Sequence, residues 1–246
     1  MKNTLIRISA IAMLALVGVL TTNHSLLALE PESMDAHEPQ YTDSFMLKEC
    51  DFSSTGSTPY FVLKPGYQLI LEGKEHGENV RLTVTVLGNT EMIDGIETRV
   101  VEERETKSNE LIEVSRNFFA ICRQTNTVFY FGEDVDIYKE GKIVGHEGAW
   151  RAGSNGAKAG VMMPGIILLG ARYYQEVAPG IAMDRAEIVG MTEVVDTPKG
   201  KYENCLKVKE TTPLEPNAKE YKFYAPGIGL IKDGALNLTE YGYLSK

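Results

Sequence analysis

Between positions 80 and 86, apolar and polar residues alternate strictly: Val80, Leu82, Val84 and Val86 are separated by Arg81, Thr83 and Thr85. A strand sends successive side chains to opposite faces, so a period of two predicts a half-buried strand. Similar runs recur along the chain. Met92-Ile93-Asp94-Gly95-Ile96-Glu97 sets Asp-Gly between two strand-like runs, and that dipeptide tolerates the positive φ angles of a tight hairpin. Residues 111–123 and Val128-Phe129-Tyr130-Phe131 flank the polar turn Gln124-Thr125-Asn126-Thr127, and Glu140-Gly141 separates two further runs. Strand signals continue over residues 171–177, 185–195 and 205–211, punctuated by Pro179-Gly180 and Pro198-Lys199-Gly200. The end reads as a meander, with breaks at Pro226-Gly227 and Asp233-Gly234. No stretch beyond residue 28 carries the period of a helix of three turns. The expected fold is all-β, a curled antiparallel sheet or barrel-like meander.

One segment departs from alternation. Gly148, Gly153, Gly156, Gly160, Gly165 and Gly170 follow no period, and the apolar piece Val161-Met162-Met163-Pro164-Gly165-Ile166-Ile167-Leu168-Leu169 lies among them. A long irregular segment inside a compact domain is uncommon and is often functional. It is expected to cover the sheet, either as a lid bending at Pro164-Gly165 or as a permanently packed crossover. Consecutive aromatics such as Phe129-Tyr130-Phe131 and Tyr173-Tyr174 put rings on both faces of a strand, which suits either packing or an apolar pocket. The candidate ligand-binding residues are therefore Trp150, Met162, Met163, Tyr173 and Tyr174.

The amino terminus reads as a signal peptide over residues 1–28. Lys2 and Arg7 precede the uncharged apolar run at residues 8–20, which is shorter than the roughly 20 residues of a bilayer span. Cys50, the first cysteine, lies too far downstream for a lipid anchor. A polar arm, residues 29–59, precedes a single β domain, residues 60–246. The protein is thus expected to be exported, periplasmic or extracellular, with no membrane span once the leader is removed. Losing Lys2 and Arg7 takes the formal charge from −9 to about −11. Such a surface repels nucleic acid and anionic membranes, and no basic stripe offsets it. Cys50, Cys122 and Cys205 leave one thiol over if a disulfide forms. Cys122–Cys205 is the expected pair, because both fall in predicted strands whereas Cys50 falls in the arm.

Motifs for specific chemistry are missing. His146-Glu147 begins like a zinc-protease helix, but Trp150 stands where the second histidine belongs. No dinucleotide fingerprint, phosphate loop or nucleophile turn occurs, so no cofactor and no catalytic residue is assigned. Asp134, Asp136 and Glu140 would share one strand face and are weak candidates for a hard cation, the alternative being a solvated acidic edge.

Several runs resemble a family of secreted bacterial proteins for which no activity is established. They are Asn117-Phe118-Phe119-Ala120-Ile121-Cys122, Tyr130-Phe131-Gly132-Glu133-Asp134-Val135, Gly148-Ala149-Trp150, Tyr173-Tyr174-Gln175-Glu176, Thr212-Pro213-Leu214-Glu215-Pro216 and Tyr224-Ala225-Pro226-Gly227-Ile228-Gly229-Leu230. The last of them is also similar, by analogy, to half-barrel envelope proteins including lipoprotein carriers. The resemblance implies an exported bacterial β protein and brings no site residues. The expected function is non-enzymatic binding of an apolar or amphipathic small molecule. A structural or assembly module with an envelope protein partner is the alternative, and an enzyme whose site is invisible in sequence is third.

Overall fold

The computed structural model describes residues 40–244. The expected leader and the first part of the arm lie outside the described residues. A 3₁₀ turn, Leu47–Glu49, is the only helix among them, and none is long and apolar enough to cross a membrane. The strands in chain order begin with β1 (Phe52–Ser53), β2 (Gly56–Thr58), β3 (Phe61–Leu63), β4 (Tyr67–Glu75), β5 (Glu78–Ile93) and β6 (Ile96–Lys107). Next come β7 (Glu110–Cys122), β8 (Thr127–Lys139), β9 (Lys142–Gly145), β10 (Trp150–Arg151), β11 (Lys158–Met163), β12 (Arg172–Tyr174) and β13 (Glu176–Val177). The chain ends with β14 (Arg185–Thr197), β15 (Gly200–Thr212), β16 (Glu215–Ala225), β17 (Gly229–Asp233) and β18 (Leu236–Tyr243).

Tight turns make most of these strands antiparallel neighbours. Asp94 and Gly95 have φ of 49° and 78°, as the Asp-Gly reading required, and Glu140-Gly141 repeats the geometry at 52° and 73°. His76-Gly77 and Ser108-Asn109 close two more hairpins with positive φ. The main sheet runs β12-β14-β15-β16-β17-β18-β4-β5-β6-β7-β8-β11-β13. Its two ends, β12 and β13, are halves of one extended segment broken at Gln175. The front half pairs with β14 and the back half with β11, so the ladder returns on itself and the sheet is a nearly closed barrel. At this seam Gly160 passes the Tyr174–Gln175 backbone so closely that an added Cβ would lie 2.3 Å from the Gln175 carbonyl oxygen. Only glycine fits there.

Alternation decides which side chains fill the interior. Leu69 and Leu71 pair across the ladder with Val84 and Leu82, and Val80, Leu82 and Val86 are buried, as the pattern predicts. Phe129, Tyr130 and Phe131 divide between faces: Tyr130 meets Phe119, while Phe129 and Phe131 pack edge-on against Phe52 from the arm.

Two findings revise the expectations. The disulfide joins Cys50 to Cys122, with Cα atoms 5.2 Å apart, and Cys205 is a free, buried thiol. A cysteine in a nominal arm is available for pairing because β1 runs antiparallel to the end of β7, setting Phe52 opposite Cys122. The second concerns residues 148–170, which are partly sheet. Trp150–Arg151 and Lys158–Met163 both pair with β8. Val161 and Met163 are buried, whereas Ile166, Leu168 and Leu169 are exposed on the loop that follows. No lid docked through all seven apolar residues exists.

One rim of the barrel is plugged by the β2–β3 hairpin. The Tyr60 hydroxyl donates to Asn204 O at 3.1 Å, and the Gly227 amide donates to Pro59 O at 2.6 Å. Phe61 lies edge-on to Phe119, with centroids 5.3 Å apart.

Candidate functional site

Inside the barrel, on the side away from this plug, lies a cavity of about 560 Å³. It opens by the seam, where Gly180, Ile181 and Ala182 form part of its mouth. Strand β7 contributes Glu113, Asn117 and Phe119, β8 contributes Tyr130, Glu133 and Val135, and β11 contributes Met162. Glu103, Gln175, Glu176, Asp184, Glu210 and Lys222 add polar groups from five more places in the chain. Deeper in, a chamber of about 70 Å³ is lined by Phe61, Leu69, Val84, Val101 and Tyr224, with Asp233 at its edge. Glu103, Phe119, Met162 and Lys222 border both spaces.

The polar lining is overwhelmingly acidic. Glu103, Glu113, Glu133, Glu147, Glu176, Asp184 and Glu210 face one cation, Lys222. Lys222 Nζ lies 2.9 Å from Glu210 Oε2 and 3.8 Å from Asp233 Oδ2, and all three side chains are almost fully buried. Gln175 Nε2 donates to the other Glu210 oxygen at 3.0 Å. The Tyr130 hydroxyl donates to Asn117 Oδ1, and Asn117 Nδ2 donates to Ser115 Oγ at 3.2 Å.

Burial and mutual repulsion hold four of them, Glu103, Glu133, Glu176 and Asp184, above the ordinary carboxylate range. Burial, then the charges of Asp233, Glu113 and Glu105, against the pull of Lys222, push Glu103 up to about 7. Burial followed by Glu103 and Glu113 pushes Glu133 to about 8, despite a hydrogen bond from Ser115. Burial and Glu210 push Asp184 to about 7, and burial with Asp184 and Glu133 raises Glu176 well above its usual value. Burial alone disfavours the Lys222 ammonium, but Asp233 and Glu210 outweigh it and raise that group.

Of the five side chains expected around a ligand, Met162 lines the cavity. Met163 faces the opposite way because neighbours in a strand alternate, and it is buried in the wall. Trp150 is buried behind the lining, edge-on to Tyr130 at 5.3 Å between centroids. Tyr173 is buried with no partner for its hydroxyl, and Tyr174 packs on Tyr41 of the arm. None of these four borders either space. The cation candidates do not converge. Asp134 pairs with Arg151 at 2.7 Å, and Asp136 pairs with Arg116 and with His146 Nδ1 at 3.0 Å each. Glu140 sits in an exposed turn, and the described residues hold no group of acids, histidines or cysteines placed to bind a metal.

Reading for motifs missed the cavity acids, yet the strands carry a signal for them. Inward positions change from apolar to charged along several strands, as in Val101-x-Glu103-x-Glu105, Val208-x-Glu210 and Ile231-x-Asp233. Running the other way, Glu220-x-Lys222-x-Tyr224 does the same. Antiparallel pairing gathers these charged ends at one level of the barrel. No protein-family model, curated protein or solved structure matches the chain.

Proposed function

We propose that this chain is a non-enzymatic binding protein that holds an amphipathic small molecule inside its barrel, outside the cytoplasm. The observation that carries this reading is the two-part cavity. Sites for small organic ligands typically measure about 300–1,000 Å³, with apolar walls and a few polar groups that set orientation. The inner chamber offers apolar surface for a tail, and the wider outer space offers polar groups for a head. Met162 stands at the junction, and its unbranched side chain adapts to guests of different shape. The leader-like amino terminus and the Cys50–Cys122 disulfide support placement in an oxidising compartment.

Native mass spectrometry of protein purified from its own host tests the reading. A retained small molecule is expected in the wild type and is lost in Met162→Trp, which fills the junction. Trp150 gives a second readout, because its ring packs on the cavity-lining Tyr130. No retained mass, together with unchanged Trp150 emission on titration with amphiphiles of either charge, would overturn the proposal.

The exposed Ile166, Leu168 and Leu169 favour a second reading, an assembly module of the cell envelope. On that reading, Leu168→Asp with Leu169→Asp reduces recovery of an envelope partner by cross-linking.

A further inference from the structure

The chemistry of the lining narrows the ligand class, given the reading that the cavity holds a ligand. Seven carboxylates border the outer space, and the single ammonium there is already shared between Glu210 and Asp233. Asp233 is 3% exposed and lines the inner chamber, and its Oδ1 accepts no hydrogen bond. A buried acceptor without a donor is costly, and native proteins rarely keep one without a reason. Lys222 reaches the other oxygen of that carboxylate and leaves Oδ1 unanswered.

An ionised carboxylate only accepts hydrogen bonds, and the donors Gln175, Lys222 and Tyr130 in the lining are already engaged, the first two by Glu210 and the last by Asn117 Oδ1. A fatty acid or phosphate head would add acceptors and negative charge to a wall that has too many of both. A point cation is a poor answer as well, because the acids come from separate strands and loops around the barrel and no group of them converges on one position. A head with several N–H donors reaches dispersed acids better than an ion does. The Phe119 and Tyr130 rings, with centroids 4.7 Å apart, add aromatic surface that attracts organic cations.

We infer that the ligand is a cationic amphiphile, an organic amine whose ammonium head sits among Glu103, Glu133, Glu176 and Asp184 and whose apolar body enters the inner chamber. Donation to Asp233 Oδ1 comes from the inner part of such a ligand when it carries a second amine. Binding forms no covalent bond.

Isothermal titration of the wild type with three probes below their micelle concentrations tests the assignment: dodecylammonium, dodecanoate and dodecyl maltoside. Dodecylammonium is expected to bind at least about tenfold more tightly than dodecanoate. Glu103→Gln with Glu133→Gln is expected to weaken dodecylammonium about tenfold and leave dodecyl maltoside within about twofold. Those exchanges keep side-chain shape and remove buried repulsion, so folding survives them. The exposed outer pair Glu91→Gln with Glu110→Gln is the control for general attraction to an acidic surface and should change nothing. Dodecanoate binding as tightly as dodecylammonium overturns the cationic assignment and leaves the binding reading standing. An equal loss from the outer pair also overturns it, since the attraction is then on the surface. Failure of all three probes overturns both.

Discussion

The two ends of the barrel bury charged groups in opposite ways, although the plug also holds one buried hydroxyl without a partner, Thr58 Oγ1. At the plugged end the buried cation Arg99 donates to Ser54 O at 2.8 Å and to Gly88 O at 2.7 Å. The Ser54 hydroxyl donates to Glu97 at 2.6 Å, and the Tyr67 hydroxyl donates to Ile228 O at 2.9 Å. At the open end the buried atoms Asp233 Oδ1 and Glu220 Oε2 have no partner, and Asp233 and Glu220 are pushed up to about 6 and about 8, chiefly by burial. Both ends belong to one sheet and share its strands. A satisfied buried polar group ties the chain together, whereas an unsatisfied one is retained at a cost in stability. The plugged end is built for stability and the open end for an occupant.

Removing each end's buried cation is the harshest way to break the comparison. Lys222→Met leaves Glu210 and Asp233 buried without compensation and should cost about 3–5 kcal/mol at pH 8. The loss should shrink at pH 5, where Asp233, pushed up to about 6 chiefly by burial, takes up a proton. Arg99→Met should also destabilise, but by an amount that hardly changes with pH, because its partners are mainly backbone carbonyls. Urea melts of both variants at the two pH values check this, and equal pH dependence at the two ends would erase the distinction.

The disulfide comes next. It closes a loop of 72 residues and fastens the plug side of the barrel, so Cys50→Ala should cost about 2–4 kcal/mol. Thermal melts should show the loss, with the same result on reduction of the wild type. Thiol titration of the denatured oxidised protein should find Cys205 alone. Three free thiols would remove this account of the arm.

Proton linkage sharpens the contrast from the other side. Glu103, Glu133, Asp184, Glu220 and Asp233 have folded values of about 6 to 8, above the unfolded carboxylate range. The folded state therefore holds more protons than the unfolded state between about pH 4.5 and 8. Stability from these groups is fully present below that window and is lost as pH rises through it. Around them lie Glu75, Glu105, Glu113, Glu176, Glu210 and Lys222, and Lys222 stays charged throughout. The empty protein should melt roughly 5 °C higher at pH 5.5 than at pH 8.5, since about 1 kcal/mol moves a domain of this size by about 2–4 °C. A bound cation favours the ionised acids, so binding should release protons and tighten as pH rises. A flat melting profile would mean that water or counter-ions already neutralise the cavity.

The smallest expected effect is a gain. Glu133→Gln keeps the shape of the side chain and removes one charge that burial and neighbouring Glu103 and Glu113 disfavour. It should raise stability at pH 8 by about 1 kcal/mol and have no effect at pH 5, as read by denaturant midpoints.

Some of this molecule could be read from the chain alone. Alternation at residues 80–86 and the positive-φ pairs Asp94-Gly95 and Glu140-Gly141 give strands and hairpins, since each depends on atoms a few residues apart. The division of Phe129, Tyr130 and Phe131 between two faces follows from the same period. The site was harder to find because a cavity wall is assembled across strands. Glu103 in β6 and Lys222 in β16 border one space, though more than a hundred residues separate them.

What the sequence determines by itself is therefore the set of strands, their turns and the phase in which each presents its side chains. Tertiary structure decides the rest. Closure through the break at Gln175, passed by Gly160, turns one face of every strand into an interior. Pairing order then decides whether an inward acid meets lysine, water or another acid. Period and turn chemistry are local properties of a chain. Burial and charge repulsion are properties of what the folded chain brings near, and they make this interior a candidate site.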